Sequence, residues 1–180
     1  MPWWDNALYD TCSLITVDKL LLDHPELAHH FRHVLAIEAS FSADQLRETT
    51  AQRMRQRVTL SAMPRASDVA KILATAGLPR ALADVDRLIF ATAVHHRMTV
   101  VTGDIRLARA LARQGQHVGN MALILKTLVT THILAITECD AILAARVAGK
   151  TDAEIRALVV ALEAARRDAD GAARVTEAAL

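Results

Sequence analysis

The sequence predicts an α/β protein, a short and mostly parallel sheet flanked by helices in three layers, with extra helices at the C-terminus. Three observations predict it. Short apolar runs of strand length alternate with segments of helical periodicity, the pattern of parallel strands joined by helical crossovers. The runs are largely apolar rather than alternating, which marks strands covered on both faces. Glycine (6) and proline (4) are scarce in 180 residues, against the turn-rich composition of a small all-β fold.

Taken in order, Ala7-Leu8-Tyr9 is a first buried strand ending at Asp10. Thr16-Val17-Asp18 opens a helix through Leu20, Leu21 and Leu22, and His33-Val34-Leu35-Ala36-Ile37 is a second strand. Ser42 with Gln45 forms a capping-box pattern, which predicts a helix carrying Arg47, Arg53, Arg55 and Arg57. Ala66 to Ala76 is helical and stops at Gly77 and Pro79. Asp84 caps a longer helix whose apolar face repeats through Leu88, Ile89 and Ala93. Met98-Thr99-Val100-Val101 is a strand, Arg106 to Gln114 a helix closed by Gly115, and His117-Val118 an edge strand. Helix resumes at Met121. The expected division is a domain over 1–130 and a helical extension over 131–180, with helices at 133–147 and 152–169 that pad the core, form a dimer surface or receive a partner helix.

Composition bounds the function. Apolar residues make up 52% and charged residues 23%, so the chain folds, and with 3% aromatics its core is built from aliphatic side chains. The net charge of +1 excludes a uniformly basic nucleic-acid coat but leaves room for a local basic strip. Cys12 and Cys139 match no zinc spacing and offer no disulfide framework, and Met1-Pro2-Trp3-Trp4-Asp5 lacks the regions of a secretory leader. A cytoplasmic protein is expected. No apolar run is long enough for a membrane span. The eight histidines show no helical zinc spacing, and neither a Gly-x-Gly-x-x-Gly nor a P-loop is present.

The chemistry lies in the acids. Asp10 and Asp104 end two strands, Asp86 sits in the first turn of the helix before the second of them, and Glu38 and Asp44 flank the helix after the second strand. Strand C-termini are the usual site of function in open α/β sheets. An Asp at a strand end is also a common turn former or helix cap, and that role competes at each position. Carboxylates that converge either raise their pKa values or bind a hard divalent ion. Oxygen-only ligands suit Mg2+ or Mn2+ over Zn2+.

Tyr9-Asp10-Thr11-Cys12-Ser13-Leu14-Ile15 resembles the first-strand motif of PIN-domain nucleases. Asp86-Arg87-Leu88-Ile89-Phe90-Ala91-Thr92-Ala93 is similar to that family's central helix, and Val100-Val101-Thr102-Gly103-Asp104 to its strand followed by Thr-x-Asp. The likeness covers roughly residues 7–129. It implies a metal-dependent endonuclease acting on RNA. Asp10, Asp86 and Asp104 would hold Mg2+ or Mn2+, with the hydroxyls of Thr11, Ser13 and Thr102 close by. A fourth acid is implied after the second strand, and both Asp44 and Glu38 stand for it. The family pattern has Glu at this position, and Ser or Asn where this chain has Cys12. Bacterial proteins of this type are often toxins held by a cognate antitoxin, and often pair as homodimers.

Arg47, Arg53, Arg57 and Arg106 are the candidate phosphate contacts, with Arg53 and Arg57 one helical turn apart and Arg109 and Arg113 extending a second strip from Arg106. Two other readings stay in view. A phosphotransferase of the haloacid dehalogenase type needs an acid two residues after its nucleophile, and here that residue is Cys12. A non-catalytic nucleic-acid-binding or interaction protein needs only the fold.

Overall fold

A computed structural model describes residues 2–42, 44–131 and 133–134. The helices expected over 133–147 and 152–169 lie outside the described residues, apart from Ile133 and Leu134. Met1–Asn120 forms one compact unit.

That unit is built on five strands, β1 (Leu8–Tyr9), β2 (Leu35–Ala36), β3 (Thr59–Leu60), β4 (Val100–Val101) and β5 (Val118–Gly119). All pairings are parallel, in the order β3-β2-β1-β4-β5. The helices are α1 (Thr11–Asp23), α2 (Glu48–Arg55), α3 (Ala66–Thr75), α4 (Asp84–His96) and α5 (Ile105–Arg113), with 3-10 turns at Pro25–His30 and Glu38–Phe41. A further helix, α6 (Met121–Thr130), belongs to the second unit. No helix among the described residues is long and apolar enough to cross a membrane.

From β1 the chain steps one way to β2 and β3, then returns past β1 to β4 and β5. Right-handed crossovers in opposite directions put their helices on opposite faces. Leu8 and Val100 accordingly share one buried cluster with Ile89, Phe90 and Ala93 of α4 and Leu107, Ala110 and Leu111 of α5. Tyr9 and Val101 alternate to the other face, the side of α1, which packs on α2 and buries Leu14, Val17, Leu20 and Leu21. The expected α/β class with a parallel, helix-flanked sheet is what is found, and it is compatible with three layers.

Four expectations about elements need correction. β3 was not expected. It lies at the sheet edge with Thr59 and Leu60 both exposed, so it lacks the apolar run that marks a covered strand. α1 begins at Thr11, not near Thr16, because Asp10 supplies its cap. Asp18 is therefore an interior helical residue. Ser42 caps no α-helix. It ends the 3-10 turn, and its carbonyl closes a single turn onto Gln45 and Leu46. α2 starts only at Glu48, next to its buried anchors Ala51 and Met54, and ends at Arg55, so Arg57 lies beyond it. Finally, α4 is capped by Ala83 with no side-chain bond, which puts Asp84 at its first position and Asp86 at its third.

Two stops behave as expected. Gly77 and Gly115 follow α3 and α5 with φ of +57° and +72°, where only glycine is unstrained.

Candidate functional site

Strand order fixes where function can gather. The direction of travel reverses between β1 and β4, and open α/β sheets bind ligands beyond the C-terminal ends of strands at such a switch point. The register pairs Tyr9 with Val101. Asp10 and Thr102 are therefore neighbours at the end of two adjacent strands.

Asp10 is buried, and its carboxylate joins three pieces of backbone. Oδ1 accepts from the Ser13 amide at 2.6 Å and so caps α1. Oδ2 accepts from the Thr102 hydroxyl at 2.5 Å and from the Gly103 amide at 3.1 Å. The Thr102 oxygen in turn accepts from the Asp104 amide at 3.0 Å. Asp104 Oδ1 takes the amides of Arg106 and Leu107 at 2.6 and 3.1 Å and caps α5. Capping is therefore a real role of both strand-end acids, and it is also what orients them. Charged acceptors of several N–H and O–H groups are held strongly.

Asp86 is brought to this pair by the first turn of α4. Its carboxyl is pushed from 3.8 up to about 6, chiefly by burial, then by the negative charges of Asp10 and Asp104. Asp86 thus feels both strand-end acids. Glu38 and Asp44 do not join them in shifting Asp86. Glu38 comes two residues after β2, but its carboxylate is held by Arg55 at 2.6 Å, and that guanidinium lies 5.2 Å over the Phe41 ring. Asp44 lies further along, in an exposed turn.

The hydroxyls divide. Thr102 is built into the network. Ser13 contributes its backbone amide and is itself buried. Thr11 Oγ1 is buried without a hydrogen-bond partner, as is Ser40 Oγ in the turn after β2. An orphaned buried hydroxyl costs about 1–3 kcal/mol and marks a place where a ligand or water bonds.

Of the arginines, Arg53 is committed elsewhere. Its guanidinium forks onto buried Asp18, Nε to Oδ1 at 2.9 Å and Nη2 to Oδ2 at 2.6 Å. Arg47 and Arg57 are exposed at either end of α2. Arg106 alone of the four meets one of these carboxylates, through its backbone amide on Asp104, while its guanidinium donates to Ala81 O at 3.5 Å. It opens an exposed strip with Arg109 and Arg113 on α5, opposite the buried face of Leu107, Ala110 and Leu111. Sequence reasoning passed over Asp18 as a partner for Arg53 because the two are 35 residues apart, with no shared periodicity.

The donor set is compatible with a hard divalent ion, since three oxygen ligands that repel one another gain from a shared cation. Among the described residues, no three His, Cys, Asp or Glu side chains stand as a ready-made ligand group. Asp10 accepts three hydrogen bonds, one on Oδ1 and two on Oδ2, which leaves a lone pair of Oδ1 for a cation.

Fold and site together define an α/β protein with a carboxylate cluster at the switch point of a parallel sheet. No protein-family model matches the chain, and no curated protein matches it.

Proposed function

We propose that this protein is a divalent-metal-dependent endoribonuclease of the PIN type, with Asp10, Asp86 and Asp104 as the residues that would hold Mg2+ or Mn2+. The observation that carries the reading is the raised Asp86 carboxyl, shifted by the two acids that the sequence resemblance pairs with it. A bound divalent ion supplies charge for a phosphoryl oxygen and a nucleophilic water at neutral pH. The chain's own residues do the rest. Thr102 and Gly103 hold the Asp10 side chain aimed. The α5 strip of Arg106, Arg109 and Arg113 runs away from Asp104 and suits a phosphate backbone, with a modest salt dependence. RNA as the substrate comes from the resemblance, as do a cognate antitoxin and a homodimer.

A second reading is a non-catalytic nucleic-acid-binding protein on the same fold. It is favoured by one observation, the three hydrogen bonds by which protein donors already hold Asp10.

The test uses a mixed single-stranded RNA pool with Mn2+, Mg2+ or chelator, and wild type beside Asp86→Asn. Asp86 is the better position than Asp10, whose replacement breaks three hydrogen bonds of the fold. Metal-dependent cleavage that is lost in Asp86→Asn, with the variant folded by circular dichroism, is the expected result. RNA binding without cleavage by folded wild type favours the second reading.

A further inference from the structure

The segment leading into α4 is fastened by arginines instead of a cap. Ala83 provides no side-chain bond to the first turn. Upstream of it, four consecutive carbonyls face two guanidinium groups. Arg87 reaches back from α4, with Nε donating to Leu82 O at 3.1 Å and Nη2 to Arg80 O at 3.2 Å and Pro79 O at 3.5 Å. Arg106 reaches across from α5, with Nη1 donating to Ala81 O at 3.5 Å. Leu82 anchors the same segment in the core beside Ile89 and Phe90.

This fastening sits where the chain has a reason to come apart. Helix ends fray, and the first turn of α4, which carries Asp86, has no side-chain cap from Ala83. Neighbouring side chains in a helix do not face each other. Arg87 therefore acts on Asp86 through the backbone and not as its counter-ion. A planar guanidinium spans several carbonyls at once, which an ammonium does not.

We infer that Arg87 is a positioning residue, which holds the first turn of α4 against the end of the sheet so that Asp86 stays beside Asp10 and Asp104. Arg106 ties the same loop to the helix capped by Asp104. The inference deepens the metal-site reading and rests on it only for the activity arm of its test.

The test is a double-mutant cycle on thermal unfolding at neutral pH in chelator, using wild type, Arg87→Ala, Asp86→Asn and the double variant. If Arg87 holds Asp86 in its half-buried place, Arg87→Ala lets that carboxyl return to water and loses less Tm with Asp86 present than with Asn in its place. A difference of about 2 °C or more is expected. Equal losses in the two backgrounds overturn the inference, because a merely structural arginine gives additive effects. Arg87→Lys is run in the same cycle, so that a misfolded alanine variant does not end the test.

In the activity arm, Arg87→Ala is expected to lower kcat for Mn2+-dependent RNA cleavage at least about tenfold while KM changes less than about threefold. An unchanged kcat overturns the inference. If wild type cleaves no RNA, the nuclease reading fails, and the stability cycle alone decides the role of Arg87.

Discussion

Replacing Asp86 by Asn removes a carboxyl that is opposed by its burial and then by the charges of Asp10 and Asp104, and is expected to stabilise the fold at neutral pH. The Asp86 carboxyl moves from 3.8 to about 6 on folding. At about 1.36 kcal/mol per unit, a fully buried group would forfeit about 3 kcal/mol in its charged form. Asp86 is only half-buried, and solvent screening reduces this to about 1–2 kcal/mol. The folded state binds this proton more tightly than the unfolded state does. The contribution is therefore fully present below 3.8 and is lost as pH rises through about 6. Wild type should lose stability across that window, whereas Asp86→Asn should not. The two should converge in acid, and at neutral pH the variant should melt about 2–8 °C higher. Thermal unfolding followed by circular dichroism across pH, in chelator, measures this. A variant no more stable than wild type at neutral pH, or a gap of the same size in acid, would refute the raised Asp86 carboxyl.

Other substitutions test neighbouring parts of the account. Thr102→Val removes the hydroxyl between Asp10 and the Asp104 amide. It should cost about 1.5–3 kcal/mol by urea denaturation, the range for a hydrogen bond to a charged group. Gly119→Ala puts a Cβ into the indole ring of Trp3. It should cost about 1–3 kcal/mol and shift the tryptophan fluorescence, with the stability loss reduced in a Trp3→Ala background. Arg53→Ala strips buried Asp18 of its forked partner. It should lower Tm by several degrees while leaving RNA cleavage per folded molecule unchanged.

How much of this was legible in the sequence depends on what each residue answers to. β1 and β4 could be read directly, because strands covered on both faces leave short apolar runs that end at Asp10 and Thr102. β3 could not, since an exposed edge strand leaves no such run. The three Asp residues were legible as strand-end and helix-start acids, but their double duty was only partly so. Reading Asp10 for its chemistry displaced the start of α1 by a turn, although the same carboxylate caps that helix. The Ser42 capping pattern misled because a capping box sets a helix going only where an apolar stripe follows, and here Leu46 is buried within a closed turn. Pairings that depend on the folded path, Arg53 with Asp18, Arg55 with Glu38 and Arg87 with the carbonyls before α4, leave no local pattern at all.

Asp10, Asp86 and Asp104 are proposed to make one cation-binding site. Calorimetric titration of Mn2+ into wild type and Asp86→Asn, with both proteins first stripped by chelator, tests it most directly. Saturable binding to wild type, weakened at least about tenfold in the variant, is expected, a loss of about 1.4 kcal/mol or more. Equal affinity in the two proteins, or no binding by wild type, would contradict it.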